Sequence, residues 1–243
     1  MKIYTPNEIF DELTRNISTF THTAFAYSYM YYVTYLYRYC KFVESEKITQ
    51  GDIKKKLGYS PLEKRIDYIV KKDGLLDKIG YTITTKDYPV TYDQDEFGQI
   101  SFLTIEQLKE ESGRHHSLAQ RNYRIKYPIK SFHRTGESYN DRILDGTFYQ
   151  VENTHRIDYS VFDAMMGDTE LGVHCFYIYA YIKSRCDIYG AYQCPYSKMI
   201  ESLNIKSYET FTKYIRRLEE AKFIEVTRVN HPNNRIANLY RVL

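Results

Sequence analysis

The sequence predicts a mainly α chain with small β-hairpins, an α+β class, in which one folding unit occurs twice around a mixed middle segment. The first observation is a repeat: residues 29–69 reappear as residues 175–215, at a constant offset of 146 and without a gap. Tyr31, Tyr35, Cys40, Leu57, Tyr68 and Ile69 recur as Tyr177, Tyr181, Cys186, Leu203, Tyr214 and Ile215. Leu36 and Ile53 meet the similar Ile182 and Met199, whereas Lys54 meets the dissimilar Ile200, so the apolar skeleton is kept while the surface changes. The second observation is helical periodicity inside each copy. The third is length: 243 residues suffice for two small cores, and so large an offset favours two domains with a segment between them. The expected boundaries are a helical extension over 1–23, a domain over 24–92, a middle segment over 93–169 and a second domain over 170–243.

Each copy opens with a helix. Tyr29, Val33, Leu36, Cys40 and Val43 follow at alternating steps of four and three, and Cys175, Tyr179, Ile182 and Cys186 take the same steps. A short second helix follows, marked by Ile53 with Leu57 and by Met199 with Leu203. It ends in a tight turn at Gly58-Tyr59 or Asn204-Ile205-Lys206. The third helix of copy one is expected to start at Ser60-Pro61-Leu62-Glu63, which reads as a capping box with proline in the first helical position. Ser207 is placed to cap its counterpart, whose core stripe is Phe211, Tyr214, Ile215 and Leu218. Copy two then reads as a strand from Ile224 to Val229, a turn over Asn230-His231-Pro232-Asn233-Asn234, and a strand from Ile236 to Leu243. Copy one is less regular: its third helix is about two residues shorter, and its hairpin over Leu75–Tyr92 contains Gly80 and Pro89 and shows no clear wing. In the middle segment, Thr104–Glu111 reads as a short helix and Gly146–Val151 as a strand.

Composition narrows the function. The net charge is +3, but the four segments carry −1, +4, −4 and +4, so the positive excess lies on the two repeated domains, as a polyanion binder needs. Cys40, Cys175, Cys186 and Cys194 lack paired metal spacing and read as reduced, buried thiols. The most apolar run, Ala24–Leu36, is too short to span a bilayer, and no signal peptide is evident. A cytoplasmic protein without membrane attachment is therefore expected. No phosphate-cradling glycine loop and no nucleophile with a recognisable base stands out, and His115-His116 has no carboxylate or cysteine at ligand spacing. No catalytic residue, metal site or cofactor is expected, and the chain reads as a non-enzyme.

Helix, short helix, tight turn, longer helix and hairpin is the order of a winged helix-turn-helix domain, so the fold expected is two such domains in tandem. Copy two, from Tyr177-Ile178-Tyr179-Ala180-Tyr181-Ile182 through Leu203 to Leu218-Glu219-Glu220-Ala221-Lys222-Phe223-Ile224, resembles the winged-helix units of replication initiators and replisome-organiser proteins of Gram-positive plasmids and phages. The resemblance covers roughly seventy residues well and copy one more weakly. It implies a double-stranded DNA-binding protein that serves DNA replication on a mobile element. A transcriptional regulator is the alternative within the same chemistry. A winged-helix protein-interaction or scaffold module without DNA binding is the alternative of a different class.

On the DNA-binding reading, Lys213, Arg216 and Arg217 project from the third helix of copy two, while Lys206, Ser207, Tyr208 and Thr210 stand at its start, within reach of phosphates and base edges. Arg228, Asn233, Asn234 and Arg235 belong to the wing, suited to backbone or minor-groove contact. In copy one, Lys54, Lys55 and Lys56 lie on the short helix and Lys64 and Lys71 on the outward face of the third, with Asp67 between them; this copy is open to a DNA or a protein partner. The middle segment from Ser112 to Gly136 holds Arg114, Arg121, Arg124, Lys126, Lys130 and Arg134 and no acid, so it reads either as an arm along phosphates or as a solvated loop. A tyrosine stripe, Tyr27, Tyr31, Tyr35 and Tyr39, repeated in part by Tyr177 and Tyr181, marks an interface between the copies or between protomers. The partners expected are double-stranded DNA, with a homodimer and replication proteins as further candidates.

Overall fold

The computed structural model describes residues 1–43, 47–96, 100–112, 122–141, 143–144, 151–228 and 237–243. In chain order the elements are β1 (Lys2–Pro6), α1 (Ile9–Asn16), α2 (Phe20–Arg38), α3 (Gln50–Lys56), α4 (Asp67–Val70), α5 (Leu75–Lys78), β2 (Ile83–Thr85), β3 (Pro89–Gln94), β4 (Ile100–Thr104), α6 (Ile105–Ser112), β5 (Ile125–Tyr127), α7 (Ile129–Phe132) and α8 (Gly136–Asp141). They continue as β6 (Thr154–Asp158), α9 (Tyr159–Gly167), α10 (Gly172–Tyr189), β7 (Tyr192–Cys194), α11 (Tyr196–Ser202), α12 (Tyr208–Glu220), β8 (Ile224–Thr227) and β9 (Asn238–Val242). The class is mixed, helices with small antiparallel sheets. Two compact units emerge: residues 1–28 with 153–243, and residues 29–152. They cut the chain at other places than the expected 24–92, 93–169 and 170–243, because the N-terminal segment packs with the C-terminal one.

In the unit formed by 1–28 and 153–243, the first residues are a strand rather than the start of a helical extension. β1 pairs antiparallel with β6, from Lys2 opposite Asp158 to Pro6 opposite Thr154. This pairing is tertiary and leaves no signal in residues 1–23 alone. At the centre lies α10, apolar on all sides: Cys175, Phe176, Tyr177, Ile178, Ala180 and Ile182 are all buried, and the helix packs against β6, α9, α12 and β9. Gly190, at φ 75°, ends it by donating its N–H to the Cys186 carbonyl at 2.7 Å, a left-handed cap that turns the chain into β7. The three-stranded sheet runs β7-β9-β8, antiparallel throughout, with Tyr240 opposite both Tyr192 and Val226. The Ser207 hydroxyl accepts from the Thr210 N–H at 3.2 Å, as its cap position predicts, and Phe211, Ile215 and Leu218 form the buried stripe of α12.

The unit 29–152 departs further from expectation. Its α3 has the same bounds as α11 less the repeat offset of 146, and it opens on a capping box of Thr49 and Asp52, with Asp52 Oδ2 accepting from the Thr49 N–H at 2.8 Å. The expected third helix does not form from Ser60. Turns occupy residues 61–66, and only Asp67–Val70 is helical. The reason is local competition for backbone and side-chain partners. Lys54 Nζ donates to the Glu63 carbonyl at 2.7 Å and pairs with Asp67, while the Glu63 carboxylate accepts from the Arg65 N–H at 2.9 Å. The hairpin expected over Leu75–Tyr92 is also replaced. Leu75–Lys78 is helical, β2 pairs with β5, and β3 pairs with β4. Residues 105–112 are helical as expected, and the strand expected over 146–151 falls almost wholly outside the described residues.

Candidate nucleic-acid interface

The outward face of α12 carries the clearest concentration of predicted contact residues. Its N-terminal cap fixes the helix start, and its buried stripe fixes which way the other side chains project. Lys206, Tyr208, Lys213 and Arg216 are exposed, whereas Ser207, Thr210 and Arg217 are half-buried. Tyr208 is 59% exposed, unusual for so large an aromatic, and its ring lies 5.9 Å from that of Tyr196. The Ser207 hydroxyl oxygen accepts from the Thr210 N–H, which holds the side chain at the helix start.

Acids share this face. Arg216 Nε lies 3.5 Å from Glu220, one turn ahead on the same helix. Arg217 pairs with Glu170, which precedes α10, and Arg228 forms a two-pronged pair with Glu219, its Nη1 at 2.9 Å. That pair raises the Arg228 pKa, mainly through the hydrogen bonds to the Glu219 carboxylate. A shallow hollow of about 340 Å3 is lined by Lys213, Arg216 and Arg217 against Asp168, Glu170 and Glu220, three cations facing three carboxylates. The Arg216–Glu220 spacing is visible in sequence; the contacts of Glu170 with Arg217 and of Glu219 with Arg228 are not. Asn233, Asn234 and Arg235 lie outside the described residues.

Copy one presents a different picture. Lys54 is 6% exposed and held by Asp67 and the Glu63 carbonyl, so it is an internal tie and not a phosphate contact. This also corrects the expectation that Asp67 stands between Lys64 and Lys71 on an outward face: its carboxylate is turned to Lys54. Lys55, Lys64 and Lys71 are exposed and Lys56 is half-buried, but no long helix aligns them. Lys126, read as part of a basic arm, is buried beneath the β2–β5 pair, with its Nζ 2.6 Å from Asp77 and 3.0 Å from the Lys71 carbonyl. Arg114, Arg121 and the two histidines His115 and His116 lie outside the described residues.

The tyrosine stripe is interior. Tyr27 and Tyr177 are fully buried in one unit with ring centroids 5.5 Å apart, and Tyr181 is 3% exposed. Tyr31 and Tyr35 are buried in the other unit, and Tyr39 is half-buried. These rings are spent within the chain, so Tyr27, Tyr31, Tyr177 and Tyr181 offer no surface to a second protomer. The contact of Tyr27, on α2, with Tyr177, on α10, is packing between the two copies, one of the two expectations for this stripe.

Sequence reasoning passed over one buried polar cluster. The Nε2 of His155 lies 2.6 Å from the Tyr27 hydroxyl and its Nδ1 2.9 Å from Asn7 Oδ1, with the ring against Phe10. Burial pushes its pKa down to about 3, helped by the positive fields of Lys183 and Arg185. Nothing in the local sequence around His155 marks it, since its partners lie 128 and 148 residues away. Among the described residues no three His, Cys, Asp or Glu side chains converge as a metal site would require, and no helix is long and apolar enough to cross a membrane. Comparison with protein-family models, with curated proteins and with solved structures returned no match.

Proposed function

We propose that the chain is a double-stranded DNA-binding protein built on winged helices, with residues 172–242 as the duplex-reading domain. The observation that carries this reading is the succession α10, β7, α11, tight turn, α12, β8, β9 closed by the sheet order β7-β9-β8. In a winged helix that order leaves the third helix projecting for the major groove, flanked by the loop of the closing hairpin as the wing. Here the exposed Lys206, Tyr208, Lys213 and Arg216 lie on or beside that helix. Residues 29–70 share the beginning of the pattern in α2 and α3 and lose it at the third helix, so the support for a second duplex-reading domain is weaker than for the first. The resemblance of copy two to plasmid and phage replication initiators makes replication of a mobile element the proposed process. No catalytic step is part of the reading.

The test is a titration of the full chain against labelled duplex DNA at several salt concentrations. Affinity is expected to fall with salt, with a logarithmic slope of about −0.9 per phosphate contact. Lys213→Ala with Arg216→Ala should weaken binding more than Lys64→Ala with Lys71→Ala. An undetectable complex at low salt would remove the reading. Duplexes selected from a random pool, tested as the sole origin of a plasmid, separate replication from transcriptional control. One observation favours the protein-interaction alternative: Arg216, Arg217 and Arg228 already have glutamate partners within the chain.

A further inference from the structure

The outward ridge of α12 carries an acid and a base that the chain itself leaves unmatched. At about 100° per residue, Glu209, Lys213, Arg216 and Glu220 fall within about 50° of the line opposite the buried Phe211, Ile215 and Leu218, and all four are exposed. Along the helix the ridge reads acid, base, base, acid. Its C-terminal half is closed on itself, since Arg216 Nε lies 3.5 Å from Glu220. Its N-terminal half is open. Glu209 and Lys213 stand four residues apart with the acid first, the order that favours an ion pair, yet neither side chain has a hydrogen bond or ion pair among the described residues. The helix start does not use the Glu209 carboxylate either, because the Ser207 hydroxyl caps it by accepting from the Thr210 N–H at 3.2 Å.

A helix-turn-helix domain brings the N-terminal part of its recognition helix against base edges, and Glu209 stands in the first turn of α12. A carboxylate carried into the major groove is repelled by the phosphates on both sides and loses hydration, so it needs a hydrogen-bond donor there. The groove offers two, the N4 amino group of cytosine and the N6 amino group of adenine. In an A·T pair the N6 donor lies between two acceptors, adenine N7 and thymine O4, and both repel a carboxylate. In a C·G pair the N4 donor has acceptors on the guanine side only. Cytosine is therefore the base whose edge a glutamate fits. Lys213 lies about 6 Å farther along the helix, where its ammonium offsets the repulsion between the carboxylate and the phosphates.

We propose that Glu209 is a specificity-determining residue of α12, its carboxylate accepting from the N4 amino group of one cytosine in the duplex that the domain binds. The inference rests on the duplex-binding reading and adds to it the base that one side chain selects. Glu209 also lies at the positive end of the helix dipole, a role that stabilises the fold and selects no base. The two roles separate by measurement.

The experiment selects bound duplexes from a random pool with the full chain, with Glu209→Gln and with Glu209→Ala, and then titrates the parent's preferred site and its single-base variants. The parent is expected to require one C·G pair, with affinity falling roughly tenfold when that cytosine is replaced. Glu209→Gln should move the preference at that position to adenine, whose N6 and N7 an amide pairs, and Glu209→Ala should leave the position without preference. Preferences at the other positions should stay as they are. Binding of Glu209→Ala to unselected duplex should be no weaker than the parent's, since a negative charge facing phosphates has been removed. If Glu209 served only the helix dipole, both variants would melt lower and keep every base preference, which would overturn the inference. A parent site in which neither variant alters a C·G position would overturn it as well. Both outcomes leave duplex binding and the proposed function standing, whereas a parent that forms no duplex complex removes the proposed function and this inference together.

Discussion

At the scale of the residue, His155 is the side chain with the most to reveal in solution. It is buried and neutral, donating from Nδ1 to Asn7 and accepting at Nε2 from Tyr27. Its pKa falls from 6.5 in the unfolded chain to about 3 in the fold, so the unfolded state binds the proton more tightly. The stability it contributes is therefore complete above pH 6.5 and is lost as the pH falls toward 3, by about 1.4 kcal/mol per pH unit within that window. Urea unfolding of the parent from pH 7.5 to 4.5 should show this slope, and His155→Gln, though less stable at neutral pH, should show a flatter one. Parallel profiles would mean that His155 is not the group that titrates. Lys126 offers a second test. With Asp77 holding its ammonium and Thr82, Thr84 and the Asp73 N–H holding the carboxylate, the cluster is closed. Lys126→Met leaves Asp77 without its cation and should cost about 3 to 5 kcal/mol, measured by chemical denaturation. A loss below about 1 kcal/mol would place Lys126 among ordinary surface lysines.

At the scale of the element, α12 and its counterpart in copy one show how the same apolar skeleton can be read two ways. Ser207 caps a helix of thirteen residues with a continuous buried stripe. Ser60 stands one residue before the equivalent position, Pro61, yet Leu62 is 84% exposed and the chain turns instead of winding, because Lys54 reaches across to Glu63 and Asp67. The residue that decides this, Lys54, meets Ile200 in the other copy. Lys54→Ala should accordingly lower the stability of the unit 29–152 and leave the duplex affinity of the folded protein unchanged. Reduced affinity at unchanged melting temperature would restore it as a phosphate contact. The glutamates on the α12 face bear on binding in the opposite direction. Glu170→Gln with Glu219→Gln frees Arg217 and Arg228, and duplex affinity should rise, by up to roughly fivefold per pair since exposed ion pairs are worth at most about 1 kcal/mol. An affinity equal to the parent's, in anisotropy titrations at matched salt, would show that these arginines stay clear of the DNA.

At the scale of the whole molecule, the positive charge is spread thinly over the units while the tyrosines lie in their cores. Counted over the two compact units, the basic and acidic residues number 14 and 13 in one and 20 and 18 in the other, so the excess is +1 and +2 and not +4 on each repeated domain. Any attraction to a polyanion must come from local placement, as on α12, rather than from the net charge of a unit. The tyrosines act as packing: Tyr31→Glu with Tyr35→Glu would bury two carboxylates in the unit 29–152 and should lower its melting temperature or prevent its folding. A double variant that melts like the parent would place both rings in solvent. The sequence by itself determined the helices whose apolar stripes recur every three and four residues, the cap at Ser207, the strand–loop–strand that closes the chain and the match of α3 with α11. These follow from interactions between near neighbours, which the order of residues displays. The tertiary structure alone decided the pairing of β1 with β6, the loss of the third helix after Ser60, the burial of Lys54 and Lys126, and the partners of Arg217 and Arg228. Each depends on groups that folding brings together from distant or irregular stretches of chain, where the free energy of an ion pair or a buried hydrogen bond outweighs the weak local preference that the sequence spells out.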